Sequence, residues 1–507
     1  MTLDFDLSRL AIFLPALGAL LILGLDIFAR PRSESDSPHR ADALAGIRVG
    51  SIAVLALFGV WLALGTESAA DFDPDALFHL DAFAVFGIIY ITLAGMLVLS
   101  LSLTHFGMAR SRPAEPAALL LLSLTGMAAA LASSHLLVIM IALELAWLPI
   151  IALIAIDSRR LSSSESSLKA FFAHAFASVI FGFGVAFVFG ATGRFDSLAL
   201  MSSDPAGQLI WQVGVALIVT GLIARTAIAP FHPWFPDVHE GAPSFVTAHI
   251  VTTALAATLF VLLRVLLLLI EGSTLGSEIA AGTGFADRMS DLLAVLGCLG
   301  LLWGHAMALV QVGLRRLLGW VGVGQIGFLV LALANADHGG GEALLIGVVA
   351  TSVATLGILA ILSSLSHHER ACEYVGDLSG MVKRSPVRSA LMGLFLLSLG
   401  GFPGTMGFVA RLEILGAVEH GGPRWLLVAG LAGTVLALIA VGRPLLAMLE
   451  PTEMMRASSR ALTNEQFVLA ICGICILYFG FAPAVGGANL ASDLAVWIHT
   501  AVASLKS

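Results

Sequence analysis

The sequence predicts an all-α polytopic membrane protein with about fourteen transmembrane helices, and three observations predict it. Of its 507 residues, 58% are hydrophobic and 12% charged, whereas a soluble domain carries about 25% charged residues. Apolar runs of about 20 residues recur from end to end, the length a helix needs to cross a hydrocarbon core of about 30 Å. The short alternating strands of a barrel are not read anywhere, so backbone polar groups in lipid must be satisfied within helices. The net charge of −8 is spread over the loops and says little by itself; no nucleic-acid partner is expected.

Hydropathy places the spans at 9–29, 46–65, 82–104, 116–133, 136–156, 168–191, 207–229, 244–270, 289–310, 317–336, 343–365, 389–411, 425–449 and 465–483. No small-residue cleavage site follows the first, which reads as a retained span. The tail 484–505 reads as an interfacial amphipathic helix, and 366–388 is the longest polar connection inside the bundle. Basic residues crowd the loops after odd-numbered spans, among them Arg30, Arg110, Arg159, Arg315, Lys383 and Arg456. The even-numbered loops and the C-terminus hold only Arg194, Arg288, Arg424 and Lys506. The positive-inside rule then makes the odd loops cytoplasmic and turns both termini outward, in a bacterial inner (plasma) membrane.

Ionisable groups at membrane depth are costly and usually face the bundle interior or a water path. Glu144 sits near the middle of span 5, and Arg225 ends span 7. Arg264 lies in span 8, with snorkelling as the competing reading, and Arg411 and Glu413 lie at the end of span 12. His174, His249 and His305 read first as satisfied core histidines and second as proton relays.

Two spans are interrupted. Span 7 runs into "APFHPWFP", where Pro230, Pro233 and Pro236 each remove a backbone donor. Span 12 carries "GGFPGTMGF" at membrane depth. Breaks at corresponding places point to inverted repeats with an ion path at their interface. The organisation expected is an N-terminal three-span segment (1–115), two inverted five-helix repeats (116–270 and 289–449) and a last span with its interfacial helix (450–507). Cys472 and Cys475 form a C-x-x-C inside an apolar span and read as packing residues. The "HGGGE" run at 338–342 reads as a flexible turn. With no nucleotide loop, metal-ligand cluster or nucleophile set in the sequence, no cofactor is expected in this chain.

The break itself carries a family likeness. "RTAIAPFHPWFPDVHEGAP" keeps Pro230, His232, Trp234, Pro236, Asp237, His239, Ala242 and Pro243 of a pattern that begins with lysine. "LKAFFAHAFASVIFGFGVAFVFGATG", "LRRLLGWVGVGQIGFLVLALA", "DLSGMVKRSPVRSALMGLFLLSLGGFPGTMGF" and "ELAWLP" match further stretches, over about residues 80 to 450. On these motifs the chain resembles the antiporter-like subunits of the complex I superfamily, most closely subunit M of bacterial NADH–quinone oxidoreductase. The resemblance implies a proton channel without redox centres, working beside other membrane subunits, with NADH and quinone reached only through those partners. It makes Glu144 the acid of an ion pair and Arg225 its cation, where the family has lysine, with a hydrated cavity at the break. The candidate ion-path or coupling residues are Glu144, Arg225, Lys169, His232, His239, His249, Arg411 and Glu413.

Besides Arg225, the chain departs from that family at three further positions. The span 8 lysine falls on Ala256, the span 12 terminal group on Arg411, and a span 10 histidine of some members on Gln325. Lysine can give up its proton when desolvated, while arginine keeps its charge in proteins. The expected function is a proton-translocating or coupling subunit of an NADH–quinone oxidoreductase-type respiratory complex with an atypical charged axis. The alternative is a membrane subunit of an Mrp-type cation/proton antiporter, a membrane-bound hydrogenase or a two-part inorganic-carbon uptake system.

Overall fold

The structure, a computed structural model, describes residues 11–28, 54–55, 58, 77–106, 114–157, 160–201, 208–275, 284–365, 372–451, 463–485 and 490–505. These residues are almost wholly helical, and eleven of their helices are long and apolar enough to cross a membrane. The three other expected spans are accounted for separately. The first is the shorter helix α1 (Leu14–Phe28). The second, 46–65, lies largely outside the described residues. The twelfth is split in two.

After α1 come α2 (Ala82–Phe106), α3 (Ala114–Ala132), α4 (Leu136–Ile154), α5 (Leu161–Thr192) and α6 (Gln208–Arg225). Helix α5 starts seven residues before the apolar run, because "LSSSESS" is soluble helix that extends beyond the expected span. The proline-rich stretch ends α6 at Arg225, and the chain re-enters helix as the short α7 (Trp234–Gly241) with Pro233 at its N-cap. Proline suits the start of a helix, where its missing donor is not needed. The span α8 (Ser244–Gly272) follows. It is interrupted by a π turn over Ile250–Ala254, which hydropathy does not announce; such turns shift the face that later residues present and gather at functional sites.

The second half runs α9 (Phe285–Val310), α10 (Leu314–Leu333), α11 (Gly340–Leu365), α12 (Pro386–Gly400), α13 (Met406–Gly421), α14 (Arg424–Leu449), α15 (Thr463–Val485) and α16 (Leu490–Ala503). Gly401 (φ 76°) and Gly404 (φ 84°) occupy the left-handed region between α12 and α13, a conformation that costs other L-residues about 1–2 kcal/mol. The break therefore falls inside the twelfth span. Arg411 lies within the second segment, not at the end of the span as expected.

Small residues set the helix contacts, as they do where lipid supplies no hydrophobic drive. Gly184 on α5 meets the backbone of α6 at Gly214 and Ile218, and Gly304 on α9 meets α10 at Gly324. The contacts follow a matching pattern in the two halves: α3 on α4 and α9 on α10, then α5 on α6 and α11 on α12 and α13. Helices α8 and α10 are central, with 89% of their apolar windows buried, while α5, α14 and α15 are peripheral at 33%. The C-terminal α16 lies on α2 and α11 with Ile498 and Val502 inward and Val496 outward.

Candidate functional site

Helices α4, α5 and α6 meet at the first break. Arg225, the last residue of α6, is 0% exposed, and its Nη2 donates to Glu144 Oε1 and to Ser178 Oγ, both at 2.7 Å. Ser178 Oγ in turn donates to the same carboxylate oxygen. The sequence reading gave Glu144 and Arg225 but missed Ser178, a hydroxyl one helical turn beyond His174. The two charges are unequal in setting. The Glu144 side chain is 34% exposed, on the face of α4 that also shows Ile141 and Leu148.

Aromatic side chains crowd the corner where the family resemblance leads one to expect a hydrated cavity. Trp147 stacks on His174 at 3.7 Å between ring centroids, and Trp234 closes edge-on at 4.8 Å to His174. Arg225 Nε and Nη1 and both ring nitrogens of His174 are buried without hydrogen-bond partners among the described residues. The bulky aromatics on α4, α5 and α7 occupy the volume that the prolines open.

The structure does not bring Lys169 to this pair. Its Nζ lies 2.6 Å from Asp237 and 2.6 Å from Glu165, and it is 45% exposed. It stands nine residues before Ser178 on α5, about 13 Å along the axis. Arg316 completes a surface collar around α7, at 3.4 Å from Asp237 and 3.3 Å from Glu240. The collar fastens α7 to α5 and α10.

Beyond the break the polar groups continue through the centre. His239 is buried, and its Nδ1 donates to the Phe235 carbonyl at 3.2 Å. It lines a cavity of about 30 Å³ with Ala256, Gln325, Thr351, Ser352 and Thr355, room for one or two waters. The position where the resembled family has lysine is therefore a void edged by hydroxyls. Gln325 Nε2 donates to the Leu399 carbonyl at 2.8 Å and lies 3.4 Å from His305 Nε2. His305 Nδ1 donates to the Leu301 carbonyl at 2.9 Å, so Nε2 is the ring's acceptor in the neutral imidazole. The break after Gly400 frees the Leu399 carbonyl, to which Arg411 Nη2 also donates, at 2.5 Å.

The other candidates separate clearly. His249 is tied on both sides, with Nε2 at 3.1 Å from Ser123 and Nδ1 at 2.9 Å from Thr253. His232 is half-buried beside Trp320, its Nδ1 without a partner. Glu413 is exposed, two residues from the buried Arg411 and turned away from the central row. Arg264 does not snorkel freely: it donates twice to Asp81 at 2.7 Å and sits over the Phe83 ring. Asp81, at the foot of α2, was not foreseen as its partner.

The sequence matches, over residues 133–437, the family described as NADH:quinone oxidoreductase/Mrp antiporter, TM. It is 28% identical to NADH-quinone oxidoreductase subunit N of Rhodospirillum rubrum over 88% of this chain and 91% of that one. It is 30% identical to subunit N 2 of Koribacter versatilis, covering 85% and 87%. Among solved structures it is similar to a chain of respiratory complex I from Thermus thermophilus, with 25% identity, a TM-score of 0.74 and coverage of 94% and 98%. These relatives carry the name subunit N, so the expected likeness to subunit M is corrected. The 230–243 motif builds the helix break between α6 and α7. The chain belongs to the NADH:quinone oxidoreductase/Mrp antiporter transmembrane family.

Proposed function

We propose that this chain is an antiporter-like, charge-coupling membrane subunit of an NADH–quinone oxidoreductase-type respiratory complex, in the place the relatives call subunit N. The observation that carries the reading is the Glu144–Arg225 pair at 2.7 Å, its arginine fully buried, beside an interrupted helix. Glu144 is the member that can take up a proton. Arg225 is a fixed cation that holds the carboxylate and releases it. Beyond His239 the path runs through water beside Ala256 to Gln325 and Arg411, without a lysine to store the proton.

The matched contact pattern of the two halves supports two inverted five-helix repeats, and the charge asymmetry of the loops supports outward-facing termini in a bacterial inner membrane. The partly open Glu144 needs cover, since a carboxylate does not face hydrocarbon; a neighbouring membrane subunit supplies it. NADH and quinone stay with the partners. Proton uptake per electron, measured on the purified assembly in proteoliposomes, tests this. Glu144→Gln should lower that ratio while electron transfer continues. An unchanged ratio would overturn the coupling role, and purification of the chain without oxidoreductase partners would overturn the complex.

A further inference from the structure

The buried arginines are not treated alike. Arg225 has Glu144 and Arg264 has Asp81, each at 2.7 Å. Arg411 is 5% exposed in the middle of the broken span. Its polar and ring contacts among the described residues are a carbonyl, Leu399 O, and the face of the Phe328 ring at 4.7 Å. Neither carries a full negative charge. A guanidinium cannot discharge itself by losing its proton, and a buried charge without a counter-charge is strongly unfavourable. Lysine at such a site has an escape that arginine lacks.

A cavity of about 20 Å³ adjoins it, lined by Arg411, Gln325, Thr351, Ser398 and Gly407 among others. Arg411 Nη1 is buried and has no hydrogen-bond partner among the described residues. Ser398 Oγ accepts the Gly407 amide at 3.2 Å, which leaves its hydroxyl hydrogen for the cavity. Thr351 brings a second hydroxyl to the same wall. Gln325 spends its amide hydrogens on Leu399 O and His305 Nε2, so it serves as wall rather than donor. The lining thus converges a permanent cation and two hydroxyls on a space for one particle of about water size, and it contains no carboxylate.

We propose that this cavity is an anion site, holding one monatomic anion of the halide class against the Arg411 guanidinium. The size excludes carboxylates and larger polyatomic anions, and the donor set is the one an anion requires. The electrostatic argument stands whether or not protons cross the chain, so its failure leaves the proposed function untouched.

The test uses the purified full-length chain in lipid nanodiscs, with chloride replaced by gluconate at constant ionic strength. Radiochloride binding should saturate near one ion per chain, and the melting temperature should rise over the same concentration range. Ser398→Ala should weaken binding roughly tenfold, the worth of one hydrogen bond to a charged group, and Arg411→Gln should abolish it. Should Arg411→Gln fail to fold, Ser398→Ala and Thr351→Val decide. The proposal is overturned if the natural chain binds no chloride saturably, if Arg411→Gln binds it equally well, or if both hydroxyl variants keep full affinity.

Discussion

A double-mutant cycle on Glu144 and Arg225 puts the central geometry to measurement. With charge centres about 4 Å apart, the Coulomb attraction is about 4 kcal/mol at an effective dielectric of 20. Removing one partner of a fully buried pair costs about 3–5 kcal/mol, because the other charge is stranded. Here Arg225 is 0% exposed but Glu144 is 34% exposed, so part of the attraction is screened, and about 2–3 kcal/mol is the expected cost of Glu144→Gln. Arg225→Met should cost a similar amount, since it strands the carboxylate and leaves Ser178 with one partner fewer. The double variant strands neither charge and should be less destabilised than the sum by about 2 kcal/mol. Melting of the four proteins in one detergent supplies all the numbers. Effects that add to within about 0.5 kcal/mol, the behaviour of independent sites, would refute the pairing.

Arg264→Met should lower stability by about 2–4 kcal/mol through loss of its two bonds to Asp81, with proton uptake per electron unchanged in the surviving protein. Gly401→Ala should cost about 2 kcal/mol in melting assays, since its φ of 76° is unfavourable for alanine and the new Cβ strikes the Arg411 side chain. Ala256→Leu should fill the 30 Å³ cavity and cut proton movement in proteoliposomes at least tenfold with little change in melting, whereas unaltered movement would remove that cavity from the path. Arg225→Lys alone should not raise proton movement, because Ala256 still offers no group to receive the proton.

The sequence read well where the physics is local. Twenty-residue apolar runs can only be helices in lipid, and proline and glycine clusters can only interrupt them, so α6 stops at Arg225 and α12 at Gly400 as the residues require. Charges at membrane depth were equally visible, and Glu144 and Arg225 are the pair expected. What failed depends on helix azimuth. Arg411 and Glu413 are two residues apart on one helix, so burial of the first turns the second outward, and hydropathy does not say which. Lys169 belongs to an exposed collar because α5 extends as soluble helix well below Glu144. Ser178 and Asp81 are polar residues of ordinary appearance, and only the packing of distant spans makes them partners. The π turn of α8 left no mark in composition, yet it sits just before Ala256 on the cavity wall.

The replacement of lysine by arginine changes which variables the central row can use. A row of lysines stores energy by titration, each site responding to the charge of the next. Arg225 and Arg411 stay charged throughout, so their fields are constant and cannot be switched off by a proton leaving. Three variables remain: protonation of Glu144, separation of the Arg225 guanidinium from it, and the contents of the cavities beside Ala256 and Arg411. The first two are coupled, because a protonated Glu144 no longer holds Arg225, while Ser178 stays in reach of either. The third is independent of both, since Ala256 and Arg411 touch neither partner of the pair. On the proposed function, coupling between the halves rests on these three variables rather than on a row of titrating lysines.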